Sequence, residues 1–178
     1  MKNRACRPSL KRQSGAAIVE FAIIGGLLLA FIYAIFEFGR MMFVYNTMQE
    51  ISRRGAREAA VRWMSDADQT DIRKYAVFGA TRLPGSMEIT DENVKIRYLQ
   101  ANGVDPVINP PADAGDNMAA CNDVLRTASC VMYVEVKVKD VVFTPLIFKP
   151  GSVTVSKPAN TMPEATTVVY AESLGFTN

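Results

Sequence analysis

The sequence contains no histidine. This absence excludes Ser-His-Asp and Cys-His catalysis and the usual catalytic zinc sites, because each of them needs an imidazole as base or ligand. A G-x-G-x-x-G fingerprint, a P-loop and a G-x-S-x-G nucleophile elbow are also missing. No carboxylate pair has a supporting pattern around it. We therefore expect a protein that is not an enzyme and that binds neither a cofactor nor a metal.

Acidic residues are absent from residues 1–15, which contain five basic ones. The rest of the chain has 15 basic and 18 acidic residues, so the formal net charge of +2 comes from this first segment. A nucleic-acid partner is not expected, because the remaining 163 residues carry a net charge of −3. Basic flanks of membrane segments stay in the cytoplasm, which places the C-terminal part of the chain outside.

A long apolar run follows the basic segment. From Ala16 to Phe36 the only charged residue is Glu20, and a helix of these 21 residues is about 31 Å long, close to the thickness of a bilayer's hydrocarbon core. An ordinary secretory signal peptide is a weaker alternative, because its apolar region is shorter and a small-x-small cleavage site follows it. We predict a single membrane span over residues 16–36.

An ionisable residue in such a span suggests a function, because it is costly to bury in lipid. A basic leader that ends at Gly15, with Glu20 five residues further on and Phe21 and an apolar helix after it, resembles the class III signal of type IV pilins and pseudopilins. The fuller run GAAIVEFAIIGGLLLAFIYAIFEFGR, with RRGAREAA at residues 53–60, is similar to the TadE-like minor pseudopilins of tight-adherence (Flp-type) pili. The resemblance is sharp over residues 12–60.

This resemblance implies a precursor in the bacterial inner membrane that a prepilin peptidase cleaves between Gly15 and Ala16. It also implies that Glu20 pairs with the free amino group of Ala16 on a neighbouring subunit, and that Phe21 belongs to the same assembly signal. The expected partners are the peptidase, other pilin or pseudopilin subunits, the inner-membrane assembly platform and membrane lipid. The subunit would act at the tip or the base of a pilus, or within it, and would support pilus biogenesis and surface adhesion.

Two other functions remain open. One is an uncleaved single-pass inner-membrane protein whose periplasmic domain binds a partner, with Glu20 an acid near the end of its helix. The other is a pseudopilin of a general secretion system. Processing by the peptidase distinguishes the first alternative, and the neighbouring genes distinguish the second.

The predicted fold is α+β, in three parts. Residues 1–15 form a cleavable leader, residues 16–64 one long helix that becomes amphipathic beyond the membrane, and residues 65–178 a small periplasmic domain with an antiparallel sheet. In the outer half of the helix a stripe of apolar and small residues recurs every three or four positions: Val44, Met48, Ile51, Gly55 and Ala59. A second helix is predicted over residues 70–83. Alternating or Val- and Thr-rich runs predict strands at residues 93–100, 131–138, 151–156 and 165–171.

Cysteine is scarce, with three residues. Cys6 would leave with the leader. Cys121 and Cys130 remain on the side of the membrane that is expected to be oxidising, which favours a disulfide over two free thiols. A disulfide across so short a loop would stabilise it by about 2 to 3 kcal/mol.

Gly25 and Gly26 interrupt the apolar run. Small residues of this kind commonly allow close packing between membrane helices. The less favoured interpretation is that they mark a point where the helix unwinds when it leaves the bilayer for a filament.

Overall fold

The computed structural model of the protein describes residues 14–83, 89–145 and 161–171. The chain divides into two compact units, Met1–Gly39 and Arg40–Asn178. The first helix, α1 (Ser14–Val61), contributes residues to both units. With the small antiparallel sheet of the second unit, this helix confirms the predicted α+β fold.

In the first unit α1 is apolar on all sides. Its most apolar window has a mean hydropathy of 2.4, and none of that window is buried. Phe21 is 79% exposed and Leu29 is 68% exposed. A helix that is hydrophobic all round is stable only where lipid or protein surrounds it. By its length and composition α1 can cross a membrane, and it is the single such helix among the described residues.

In the second unit the outer part of α1 is amphipathic. Every member of the predicted stripe is buried: Val44, Met48, Ile51, Gly55 and Ala59. Arg53 and Arg57 lie on the exposed face. The spacing of three and four residues places the stripe on one side of the helix, where it joins the hydrophobic core of this unit.

The sheet has three antiparallel strands in the order β1 (Val94–Leu99), β2 (Tyr133–Val138) and β3 (Ala165–Tyr170). Val136 of β2 lies between Ile96 of β1 and Thr167 of β3. Three of the strands predicted from the sequence are therefore present. The strand predicted at residues 151–156 lies outside the described residues.

One face of the sheet packs on α1. Val134, Val136 and Val138 alternate along β2 and are all fully buried, as their period of two predicts. The side chain of Ser52 on α1 forms a 2.8 Å hydrogen bond with the hydroxyl of Thr167 on β3. The helix and the sheet thus share one core.

The second helix, α2, spans Asp66–Ala76, so the predicted range of residues 70–83 is wrong at both ends. It begins earlier because the Gln69 N–H already donates to Ser65 O, at 2.9 Å. It ends earlier because Phe78 and Gly79 both have positive φ, which closes the helix. For Phe78 this conformation costs about 1 kcal/mol, and the guanidinium of Arg54, 4.4 Å from its ring centroid, offsets that cost.

A third helix, α3 (Ala114–Asn122), lies between β1 and β2. It begins within residues 104–117, where the sequence is rich in proline, aspartate, glycine and asparagine and predicts an exposed loop instead. Its N-cap is Asp113, whose side chain accepts a hydrogen bond from the Asp116 N–H at 2.7 Å. The buried residues Asn117 and Ala120 face the rest of the unit. This helix carries one of the two cysteines that the sequence pairs.

Candidate functional site

The predicted processing and assembly residues lie together at the start of α1. The Gly15–Ala16 bond lies among the first residues that the structure describes in this helix, and both residues are exposed.

Ala16 and Glu20 are one helical turn apart and line the same shallow groove, together with Val19 and Ile23. Apart from Glu20, the groove is apolar. Glu20 itself is exposed at the helix surface. Phe21, the next residue, is also exposed and lies about 100° further round the helix. The structure thus brings a carboxylate and the predicted new amino terminus to one face.

The family of TadE-like proteins matches residues 15–57. These residues form a TadE-like segment. The match begins at Gly15 and includes Ala16, Glu20 and Phe21, which confirms the resemblance seen in the sequence. No curated protein and no solved structure matches the chain.

The TadE-like segment has two environments along its length. Up to Gly39 its apolar side chains are exposed, apart from the half-buried Tyr33, whose hydroxyl donates a 2.8 Å hydrogen bond to Glu37. From Arg40 onwards it supplies core residues to the second unit, including Met48 and Gly55. The first part of the segment is therefore an apolar stretch of helix with exposed side chains, and its second part is the stretch that packs in the core of a folded domain.

The predicted disulfide between Cys121 and Cys130 is present in the second unit, with a Cα–Cα distance of 4.7 Å. It joins the end of α3 to the chain just before β2. The Asn117 side chain makes a parallel connection, because it accepts from the Val131 N–H at 2.8 Å and donates to Val131 O at 3.3 Å. The covalent bond and the buried amide together hold α3 against the sheet.

An exposed ion pair in the same region connects α3 to the chain that follows it. The Arg126 guanidinium donates to the Asp116 carboxylate at 2.8 Å, and with the Ala112 N–H it holds the pKa of that carboxyl below its ordinary value. A lowered pKa means that the folded state favours the ionised form. The pair therefore contributes to stability above the ordinary carboxyl pKa, and this contribution is lost as the pH falls through the lowered value.

The sequence did not identify Arg97 and Glu135, which face each other across β1 and β2. Arg97 Nη1 donates to Glu135 at 3.1 Å, and Lys137 Nζ lies 3.1 Å from the other carboxylate oxygen. The signal available in the sequence is weak: opposite charges on the polar faces of two predicted strands. Their pairing depends on the register, which neither strand specifies alone.

Proposed function

We propose that the protein is a minor pseudopilin of a tight-adherence pilus, made as an inner-membrane precursor and cleaved between Gly15 and Ala16 by a prepilin peptidase. The observation that carries this proposal is the TadE-like match that starts at Gly15, on a helix whose most apolar window is not buried. The absence of histidine and of nucleotide-binding motifs adds support for a structural rather than an enzymatic role.

The exposed apolar surface gives the helix two compatible environments. In the precursor, lipid covers side chains such as Ile18, Phe21 and Leu29. In a filament, the helices of other pilin subunits would cover the same side chains. Transfer between the two exchanges one apolar environment for another, so it does not require that the helix be exposed to water.

Glu20 would set the register of this transfer. After cleavage, the Ala16 amino group is a cation, and a neighbouring subunit's Glu20 is the carboxylate that the proposal assigns to it. Such a pair adds little net stability, because both charges lose water. A subunit displaced along the helix axis, however, would leave two unpaired charges in an apolar environment, which strongly disfavours the wrong register.

The second unit distinguishes this subunit from one that is only a helix. We assign it to the periplasmic side of the membrane, because the basic residues precede the span and because the disulfide suits an oxidising compartment. In this position the unit would contact the assembly platform or the end of a pilus. Its role is to bind other proteins, and the partners are pilin subunits.

A helix exchange tests the proposal in the native host. In a strain that lacks the protein, the wild-type chain is expected to restore surface pili. A chimera with an unrelated single-pass helix in place of residues 14–39 is expected to reach the membrane in equal amount but to leave piliation at the level of the deletion strain. Pili are counted by electron microscopy, and membrane levels by immunoblot.

The chimera keeps the second unit intact and serves as its own control for expression and anchoring. If it restored pili as well as the wild-type chain, the helix would be only an anchor. The function would then belong to a membrane-tethered binding domain.

A further inference from the structure

A cleft in the second unit lies beside the edge of β1. Its volume is about 420 Å³, within the range of small-ligand and side-chain pockets. Its lining is mixed, because polar and apolar atoms contribute almost equally to its surface. The apolar part comes from Met64, Tyr98, Val107 and three prolines. Gln69 and Arg97 are the polar residues that line it, and Gln69 already donates to Met64 O at 3.1 Å.

Arg97 gives this cleft a positive charge. Its guanidinium has five N–H donors, and Nη1 donates to Glu135 at 3.1 Å. The side chain is 43% exposed, so the other donors are accessible from the cleft. A second carboxylate could therefore bind Arg97 without displacing the first.

Glu135 remains compensated if Arg97 turns toward a ligand. Its side chain is only 11% exposed, and a buried carboxylate without a cation is costly. Lys137, however, lies 3.1 Å from the other oxygen of the same carboxylate. The protein thus places two cations on one acid, which leaves the guanidinium available to bind a further anion.

We propose that this cleft binds an acidic segment of a partner protein, with the partner's carboxylate on Arg97 and an adjacent apolar side chain inside the cleft. The lining offers a guanidinium for a carboxylate and a patch of prolines, Met64 and Val107 for an apolar group. A peptide carries both groups on adjacent residues, whereas an acidic polysaccharide has no apolar side chain, so the cleft favours a peptide. The proposal concerns only the second unit, so it holds whether or not the chain is cleaved or joins a pilus.

The test uses the full chain in lipid nanodiscs and three matched peptides: acetyl-Val-Asp-Val-amide and its Asn and Lys counterparts. Binding is followed by NMR of ¹⁵N-labelled arginine side chains and by calorimetry. The Asp peptide is expected to bind in the millimolar range and to shift the Arg97 Nε–H signal. The Asn peptide should bind about tenfold more weakly, the effect of about 1.4 kcal/mol, and the Lys peptide should not bind.

Two variants and a matched control assign the effect. Arg97→Gln is expected to bind the Asp and Asn peptides equally, and Arg97→Lys, which keeps a cation beside Glu135, is expected to bind the Asp peptide more weakly than wild type. Lys95→Gln removes an exposed cation two residues away on the same strand and should change nothing. Equal binding of the Asp and Asn peptides to wild type, or no binding of either, would overturn the proposal. So would Arg97-dependent binding of oligo-uronates without binding of the Asp peptide.

Discussion

Replacement of Glu20 by glutamine is expected to reduce incorporation of the protein into pili by at least tenfold while its amount in the membrane stays unchanged. The side chain keeps nearly its size but loses the charge that the proposal pairs with the Ala16 amino group. An unpaired ammonium in an apolar interface costs about 3 to 5 kcal/mol, far more than the roughly 1.4 kcal/mol behind a tenfold change. Pili sheared from the cells and the remaining membranes are compared by quantitative immunoblot.

The matched control is Glu50→Gln, which removes the same group from an exposed position further along α1. Its incorporation should equal that of wild type. Glu20→Asp keeps the charge on a shorter side chain and should assemble to an intermediate level. Wild-type incorporation of Glu20→Gln would show that the carboxylate does not set the register of assembly.

Replacement of Gly55 by valine is expected to destabilise the second unit by about 3 kcal/mol, because the core has no room for a larger residue. A Cβ atom at Gly55 would lie 3.2 Å from Ala76 Cβ on α2 and 3.2 Å from Val136 Cγ1 on β2. Valine adds two further carbons at the point where α1 approaches both elements. The unfolding of the full chain in detergent micelles can be followed by the fluorescence of Trp63, the single tryptophan of the sequence.

Gly39→Val is the control for this change, because a Cβ at Gly39 has no described neighbour within 4 Å. It should shift the free energy of unfolding by less than about 0.5 kcal/mol, since valine is somewhat better than glycine in a helix. The expected decrease for Gly55→Val corresponds to a melting temperature about 10 °C lower. If both variants melted with the wild type, the close approach at Gly55 would not limit the core.

The sequence predicts the main helix and the strands well because their patterns are strong. The apolar run and the stripe from Val44 to Ala59 continue over many turns, and in β2 a valine occupies every second position, all of them buried. In each of these elements the apolar side chains must be covered, and their spacing in the sequence predicts which face or surface of the element they occupy. Three strands and the apolar helix follow from that alone.

Other elements depend on contacts that the local sequence does not contain. The short α3 has little helical pattern, and Asn117 and the disulfide hold it against Val131 and the start of β2. The end of α2 depends on Phe78 in a conformation that Arg54, from another helix, helps to stabilise. Both are tertiary effects that override weak local preferences.

The candidate sites differ in the same way. Gly15, Ala16 and Glu20 are close in sequence and share one helix, so a sequence motif is enough to identify them. The cleft at Arg97 joins residues from the turn between α1 and α2, from α2 itself, from β1 and from the chain beyond β1. Its chemistry depends on the register of β1 against β2, which only the folded structure provides.

The central claim is that Gly15–Ala16 is a processing site, and the N-terminus of the protein in the cell tests it most directly. The intact mass and N-terminal sequence are measured on protein from membranes of two strains, with and without the prepilin peptidase. The account predicts a start at Ala16 that depends on the peptidase and a larger, uncleaved form in its absence. The same N-terminus in both strains, with Gly15 still joined to Ala16, would contradict it.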